Sequence, residues 1–309
     1  MELCDWIWIN GTIVHKKERI LTPSLLFTHA MQYGISAFEG IRFYQKNGQT
    51  MIFRLKEHLE RLTYSAKEIF IENAENLLNP ARITCAIEKT IRRNKIKEGY
   101  IRPWIGYTTE KLGLDLRGCK ASVVIGIVDW PAYYKGALKV HRSSIARPHP
   151  NSFPMNAKIG GMYVNSVRAS MEAKGLGFDE AILPDINNFV GEASAANVFV
   201  IKNRTAQFSP KIYTPRLGLV LPGITRDTII QISKHAKIST QETEISFAKN
   251  YDEMFVCGTA AEVVPVTHIN NEPIGDGKVG PTTKKLRKLY KRVVRGELKK
   301  FRHWITYID

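Results

Sequence analysis

Cysteine is scarce in this 309-residue chain. Cys4, Cys85, Cys119 and Cys257 stand far apart, with no Cys-x-x-Cys pair and no Cys/His cluster, which argues against a zinc site and against a disulfide framework. Long apolar runs are missing too, and none approaches the about 18 to 20 residues that a membrane helix requires. The N-terminus, Met-Glu-Leu-Cys-Asp, lacks the basic-then-apolar order of a secretory signal. There is no internal repeat and no low-complexity tract. These absences lead to the expectation of a cytoplasmic protein with no metal and no membrane partner. Acidic residues are also short: 29 Asp and Glu face 45 Lys and Arg, a net charge of +16.

Much of that excess sits near the end, where ten Lys or Arg between Lys284 and Arg302 are opposed only by Glu297. Leu286, Leu289, Tyr290, Val293 and Val294 recur there at i, i+3, i+4, i+7 and i+8, so the segment reads as an amphipathic helix with a solvated cationic face. A nucleic-acid surface is the sharper reading, but no recognised motif accompanies the charge, and the expectation is no nucleic-acid partner. Anionic substrates or solubility account for it as well.

What is present is an ordinary globular composition, 44% hydrophobic and 24% charged, long enough for about two domains on the usual ~150-residue prior. Trp6–Ile9, Asn10-Gly11 and Thr12–Val14 read as a hairpin, because a type I′ turn needs positive φ at both central residues. The stretch from His29 to Tyr44 leads from a polar loop into a strand. A helix is expected over Leu55–Phe70 with Leu59, Leu62, Ala66 and Ile69 inward. A second, Asn79–Arg93, carries Ile83, Ile87 and Ile91 inward. Strands follow at Tyr100–Ile105 and Ala121–Val128. Trp130-Pro131-Ala132-Tyr133-Tyr134-Lys135-Gly136 breaks the pattern, which places a domain at 1–132, a linker at 133–137 and a second domain at 138–309. That second part reads as alternating strands and helices, with strands at Leu138–Ile145, Glu180–Leu183, Asn197–Ile201, Met254–Val256 and Val263–Val266.

Three features invite a chemical reading. Lys158 stands before a Gly-Gly pair and a helical pattern in which Met162, Val164, Val167 and Met171 recur. An amine fixed at a helix mouth can attack a carbonyl cofactor if it is held neutral, although most lysines are surface charges. Gly223-Ile224-Thr225 at a helix start and Gly258-Thr259-Ala260 in a turn suit a phosphate, or are simply caps. Arg61 could add the full charge, or decorate the surface. Glu192, among small residues before an apolar strand, is either a cap or a buried carboxylate that requires a cationic partner.

Six segments then occur in order: Tyr-Gly-Ile-Ser-Ala-Phe-Glu-Gly-Ile-Arg (33–42), Glu-His-Leu-Glu-Arg-Leu (57–62), Tyr-Ile-Arg-Pro (100–103), Asn-Ala-Lys-Ile-Gly-Gly-Met-Tyr (156–163), Leu-Pro-Gly-Ile-Thr-Arg (221–226) and Gly-Thr-Ala-Ala-Glu (258–262). Together they resemble the branched-chain-amino-acid aminotransferases, members of the fold-type IV pyridoxal-phosphate enzymes. The turn after Glu192 departs from the pattern with Ala-Ser-Ala-Ala in place of glycines, and Met162 stands where many relatives carry asparagine.

The resemblance implies an α/β (α+β) fold, with a smaller N-terminal α/β domain and a larger domain with a β-barrel-like core. It implies pyridoxal 5′-phosphate held by Lys158, which also moves the proton. Glu192 would face the pyridine nitrogen, Tyr163 the phenolic oxygen, and Arg61, Ile224, Thr225 and Thr259 the phosphate. Tyr100, Thr259 and Ala260 would seat the substrate carboxylate, and Phe38, Trp130, Tyr133 and Tyr163 would wall the side-chain pocket. Arg102 would meet the distal carboxylate of glutamate. Tyr33 and Leu114 would come from a second subunit, so a homodimer with a shared site is expected, with a trimer of dimers as a further assembly. The implied reaction is transamination between leucine, isoleucine or valine and 2-oxoglutarate. A D-amino-acid aminotransferase or an aminodeoxychorismate lyase of the same fold is the near rival, and a basic nucleic-acid-binding protein the distant one.

Overall fold

The computed structural model describes residues 2–18, 23–130, 134, 136–202, 209–248 and 250–308. Tyr133 and part of the expected linker 133–137 lie outside them. The chain forms two compact units. The first gathers Met1–Pro131, Ala157–Gly161 and Val294–Asp309, the second Ala132–Asn156 and Met162–Val293.

The first unit is built on a nine-stranded sheet. Its main path runs Ile305–Ile308, Gln49–Phe53, Ile41–Lys46, Gly99–Tyr107, Ala121–Asp129, Trp6–Ile9 and Thr12–His15, with Ser36–Phe38 added beside Gly99–Tyr107. Every pairing along it is antiparallel. The expected hairpin is present: Trp6 pairs with His15 and Ile9 with Thr12, around Asn10 at φ 47° and Gly11 at φ 119°. Ala121–Asp129 lies inside the sheet, as its mostly apolar sequence suggests.

Two helices cover this sheet's elements. Helix α1 (Leu55–Glu68) buries Leu55, Leu59, Leu62 and Ala66, and on the same face His58 and Ser65. Helix α2 (Pro80–Asn94) starts where Asn79 Oδ1 accepts the Arg82 amide at 3.1 Å and Pro80 supplies a pre-set φ. Its Ile83, Ile87 and Ile91 are buried, each contributing roughly 2 kcal/mol against an extended chain. The polar stretch expected before the first motif strand is instead a short helix, His29–Tyr33. The Thr28 side chain caps it and Gly34 at φ 68° closes it. Five residues are too few to show a 3.6 period.

The second unit contains a closed barrel. Six strands follow one another around it: Val190–Ala193, Glu180–Pro184, Leu138–Arg142, Glu262–Ile269, Glu253–Gly258 and Asn197–Lys202. The pairing of Glu192 with Asn197 completes the ring. Val140, Ile182, Val198, Val200, Val256 and Val264 fill its core cluster. Lys211–Thr214 and Ser239–Glu242 extend the sheet beyond the ring.

Helix α3 (Tyr163–Gly175) overturns one expectation. Val164, Val167 and Met171, read as its apolar stripe, are exposed, whereas Ser166, Ala169 and Ala173 are buried. Ala169 and Ala173 pack on Ala181 and Leu183, because small side chains let helix and strand approach closely. Helix α4 (Ile224–His235) starts at Gly223, and helix α5 (Pro281–Val294) starts where Glu253 accepts the Thr282 and Thr283 amides at 3.0 and 2.7 Å. Along α5, Leu286, Tyr290 and Val293 are buried and Lys284, Lys285, Lys288 and Lys291 exposed, the amphipathic pattern the sequence shows. Among the described residues, no helix is long and apolar enough to cross a membrane.

Candidate active site

Lys158 belongs to the first unit and is half-buried there. Its backbone is held at both ends. The Lys158 N–H donates to Ser65 Oγ on α1 at 2.8 Å, and the Phe38 N–H donates to the Lys158 carbonyl at 3.2 Å. Its Nζ stands 4.9 Å from the centre of the Phe38 ring, and the Arg102 guanidinium 4.7 Å from the same ring. Arg102 also lies 5.3 Å from the Tyr100 ring, which stacks on Trp130 at 4.7 Å. Five expected site residues of this unit are therefore joined by consecutive contacts. Gly40 makes room for one of them, since a Cβ there would overlap Tyr100 Oη. The phenol thus lies where only glycine permits it.

Arg61 does not decorate the surface. Its side chain is 11% exposed, and its Nε and Nη2 donate to the two oxygens of Glu39 at 2.6 and 3.0 Å. Glu39 is wholly buried and also meets His58 Nδ1 at 2.8 Å. Burial pushes the Glu39 carboxyl up, but the Arg61 guanidinium and His58 override it and hold the group well below the usual carboxylate range. Burial pushes the His58 imidazole below its ordinary value despite Glu39, so it is neutral at pH 7 and donates Nδ1–H to the carboxylate. Neither Glu39 nor His58 is among the residues singled out above.

In the second unit Glu192 is buried on the strand Val190–Ala193. It is not a cap. Arg147 Nε stands 2.9 Å from Glu192 Oε1, while Asn197 Nδ2 and the Leu221 N–H donate to Oε2, each at 3.2 Å. The cationic partner that a buried carboxylate requires is thus supplied by the protein.

Asn197 links Glu192 to the start of α4, since its Nδ2 also donates to the Leu221 carbonyl at 2.9 Å. Gly223 lets that link form, because a Cβ there would overlap Asn197 Oδ1. Ile224 and Thr225 follow on the first turn, both buried. Asn197 also pairs with Cys257, so Thr259 and Ala260 lie just past the adjacent strand, in the turn before Glu262. Burial pushes the Cys257 thiol far up, which makes it an inert neighbour rather than a nucleophile. Tyr163 opens α3 and is half-buried.

Tyr33 and Leu114 are exposed, at 41% and 85%, and Tyr133 lies outside the described residues. A cavity of about 580 Å³ in the second unit, near Arg142, Phe247 and Tyr251, includes none of the expected residues. Among the described residues no group of His, Cys, Asp and Glu could hold a metal ion. The residues do fit pyridoxal phosphate: a buried carboxylate paired with Arg147 suits a protonated ring nitrogen, and a glycine-started helix of twelve residues suits a phosphate.

Comparison with known proteins places this arrangement. Residues 36–269 match the family model of amino-transferase class IV. The chain is 36% identical over 309 residues to a branched-chain-amino-acid aminotransferase of Pseudomonas aeruginosa, covering 98% of this chain and 97% of that protein. Among solved structures, the branched-chain aminotransferase of the archaeon Thermoproteus uzoniensis with norvaline superposes with a TM-score of 0.88 at 33% identity, covering 98% of this chain and 99% of that one. The branched-chain amino acid aminotransferase of Thermobaculum terrenum, in its PLP-bound holo-form, gives 0.89 at 26% identity, covering 100% of both chains. A match to the family model over most of the chain, with relatives aligned from end to end, makes this protein a member of the class IV aminotransferase family.

Proposed function

We propose that this enzyme is a pyridoxal-phosphate-dependent transaminase of branched-chain L-amino acids, exchanging the amino group of leucine, isoleucine or valine with 2-oxoglutarate. The observation that carries the reading is Glu192, a buried carboxylate held by Arg147, Asn197 and the Leu221 amide, in a chain whose relatives bear this activity. When bound, pyridoxal phosphate supplies a protonated ring that accepts the electron pair left as the substrate loses its α-proton.

The remaining work falls to this chain's own residues. The Lys158 amine would hold the cofactor at its aldehyde carbon, with loss of water, until the substrate amine displaces it; the freed amine would then take the proton from the substrate Cα and deliver it to the former aldehyde carbon, as base and then acid. Glu192 would keep the ring nitrogen protonated. Tyr163 would donate to the phenolic oxygen. Arg61, the Ile224 and Thr225 amides and Thr259 would hold the phosphate. Tyr100 and the Thr259 and Ala260 amides would seat the α-carboxylate, with Phe38, Trp130 and Tyr133 around the apolar side chain. Arg102, stacked on Phe38, would meet the distal carboxylate of 2-oxoglutarate from the edge of that apolar wall, where it does not penalise leucine.

A homodimer goes with this reading, supported by the exposure of Tyr33, Leu112 and Leu114, which would reach a second copy's site; a trimer of dimers would be its further assembly. The domains are taken as 1–132 and 138–309. A role in amino-acid biosynthesis and a cytoplasmic location complete the proposal, the latter in keeping with four free cysteines. The test is the visible spectrum of the purified protein with added pyridoxal phosphate, before and after L-glutamate, with a coupled assay of L-leucine against D-alanine. Activity confined to D-alanine, or a protein that stays colourless, rejects the reading.

A further inference from the structure

Glu39 has no assigned role in the reaction, yet its wholly buried carboxylate collects donors from two directions. Arg61 gives it Nε and Nη2, His58 gives Nδ1, and the Gly40 amide approaches Oε2 at 3.2 Å. We propose that Glu39 is a positioning residue for Lys158 as well as for Arg61: it fastens the end of the Ser36–Phe38 strand to α1, the two elements that grip the lysine backbone.

The connections form a circuit. From Glu39 the path runs through the Arg61 side chain to the Arg61 carbonyl, which accepts the Ser65 hydroxyl at 2.8 Å. Ser65 Oγ in turn accepts the Lys158 N–H. The Lys158 carbonyl accepts the Phe38 N–H, and Ala37 bridges Ile159 across the same strand. Phe38 is covalently joined to Glu39, which closes the loop. With both its N–H and its C=O tied, the lysine cannot drift unless strand and helix part. A misplacement of about 1 Å can cost about a hundredfold in rate.

A carboxamide cannot stand in for Glu39. Its NH2 group would face one of the donors that now converge there, so a hydrogen bond is lost and Arg61 loses its counter-charge. The strand and α1 would then separate where Lys158 is held.

The inference rests on reading Lys158 as the cofactor amine, and the experiment separates the two. Cofactor-free wild type, Glu39→Gln, Ser65→Ala and, as a control, Ile87→Ala, a buried residue of α2 remote in sequence from the circuit, are mixed with pyridoxal 5′-phosphate or with pyridoxal. The rate at which an amine couples to the aldehyde is followed by absorbance, and the modified lysine is located by borohydride trapping and peptide mass. Melting temperatures are recorded in parallel. Glu39→Gln and Ser65→Ala are expected to slow coupling at Lys158 at least about tenfold with both aldehydes. Ile87→Ala, with a comparable loss of melting temperature, should stay within about twofold of wild type. Pyridoxal has no phosphate and reports on the lysine alone. Slowing confined to pyridoxal 5′-phosphate means that Glu39 acts only through Arg61, and overturns the proposal, as do unchanged rates with both. Should Glu39→Gln not fold, Ser65→Ala decides by the same criterion. Wild-type protein that couples at Lys158 with neither aldehyde overturns the reading underneath as well.

Discussion

Replacing Arg147 by methionine removes the guanidinium that stands against Glu192, and its consequence can be worked out. At 2.9 Å the pair's attraction is about 6 kcal/mol with an effective dielectric near 20. The carboxylate has a less costly escape. Taking a proton at pH 7, from an ordinary value near 4.3, costs about 4 kcal/mol at roughly 1.4 kcal/mol per pH unit. The smaller figure governs, so the variant should lose about 4 kcal/mol at pH 7, inside the range typical of a broken buried pair, and only about 2 kcal/mol at pH 5.5. The sign follows from linkage: in the variant the folded state binds a proton that the unfolded state releases, so its stability falls as pH rises above the unfolded value. Urea unfolding of the cofactor-free variant and wild type at both pH values measures the difference. Combining Arg147→Met with Glu192→Gln should remove most of the pH dependence. A loss that is the same at both pH values, or below about 1 kcal/mol at pH 7, would refute the idea that Arg147 acts on the charge of Glu192.

Lys158→Ala should abolish transamination in the coupled assay while the far-ultraviolet circular dichroism stays that of the wild type; retained turnover would remove the lysine from its role. Gly40→Ala forces a methyl group onto Tyr100 Oη, so the ring must move. A loss of about 1 to 3 kcal/mol of stability and a raised KM for L-leucine are expected in melting and steady-state assays. Between pH 7 and 5 stability should decline in part because His58, held neutral by burial, takes up a proton only on unfolding. His58→Asn should therefore flatten that part of a pH–melting profile, and an identical slope in both proteins would count against it.

Helices α1 and α2 and the first hairpin are legible in the sequence because their signals are local: a 3.6-residue apolar period, an Asn-Pro start, an Asn-Gly turn. Even the polar core of α1 is visible in outline, since His58 and Ser65 fall on the same stripe as Leu55, Leu59, Leu62 and Ala66. Two kinds of information are missing. The partners Arg147 and Asn197 reach Glu192 from 45 residues before and 5 after it, and its own strand, Val-Gly-Glu-Ala, is too short to carry a periodic signal. On α3 the apolar spacing points the wrong way, because burial there goes to alanines, whose value lies in close approach rather than in hydrophobicity. A linear boundary near 132 also cannot express that residues 157–161 and 294–309 gather with the first unit.

The sheet that continues past the barrel ring ends in Ser239–Glu242, and that end has a bearing on solubility. A ring has no unpaired rim, but an added flap must finish somewhere, and its last strand offers main-chain groups to any passing extended peptide. Here that strand is four residues long, Ser-Thr-Gln-Glu, largely solvent-facing, and its glutamate is drawn inward to Arg226. So short and polar a border gives a neighbouring molecule little to zip onto, which discourages fibre-like growth while the chain is crowded among copies of itself.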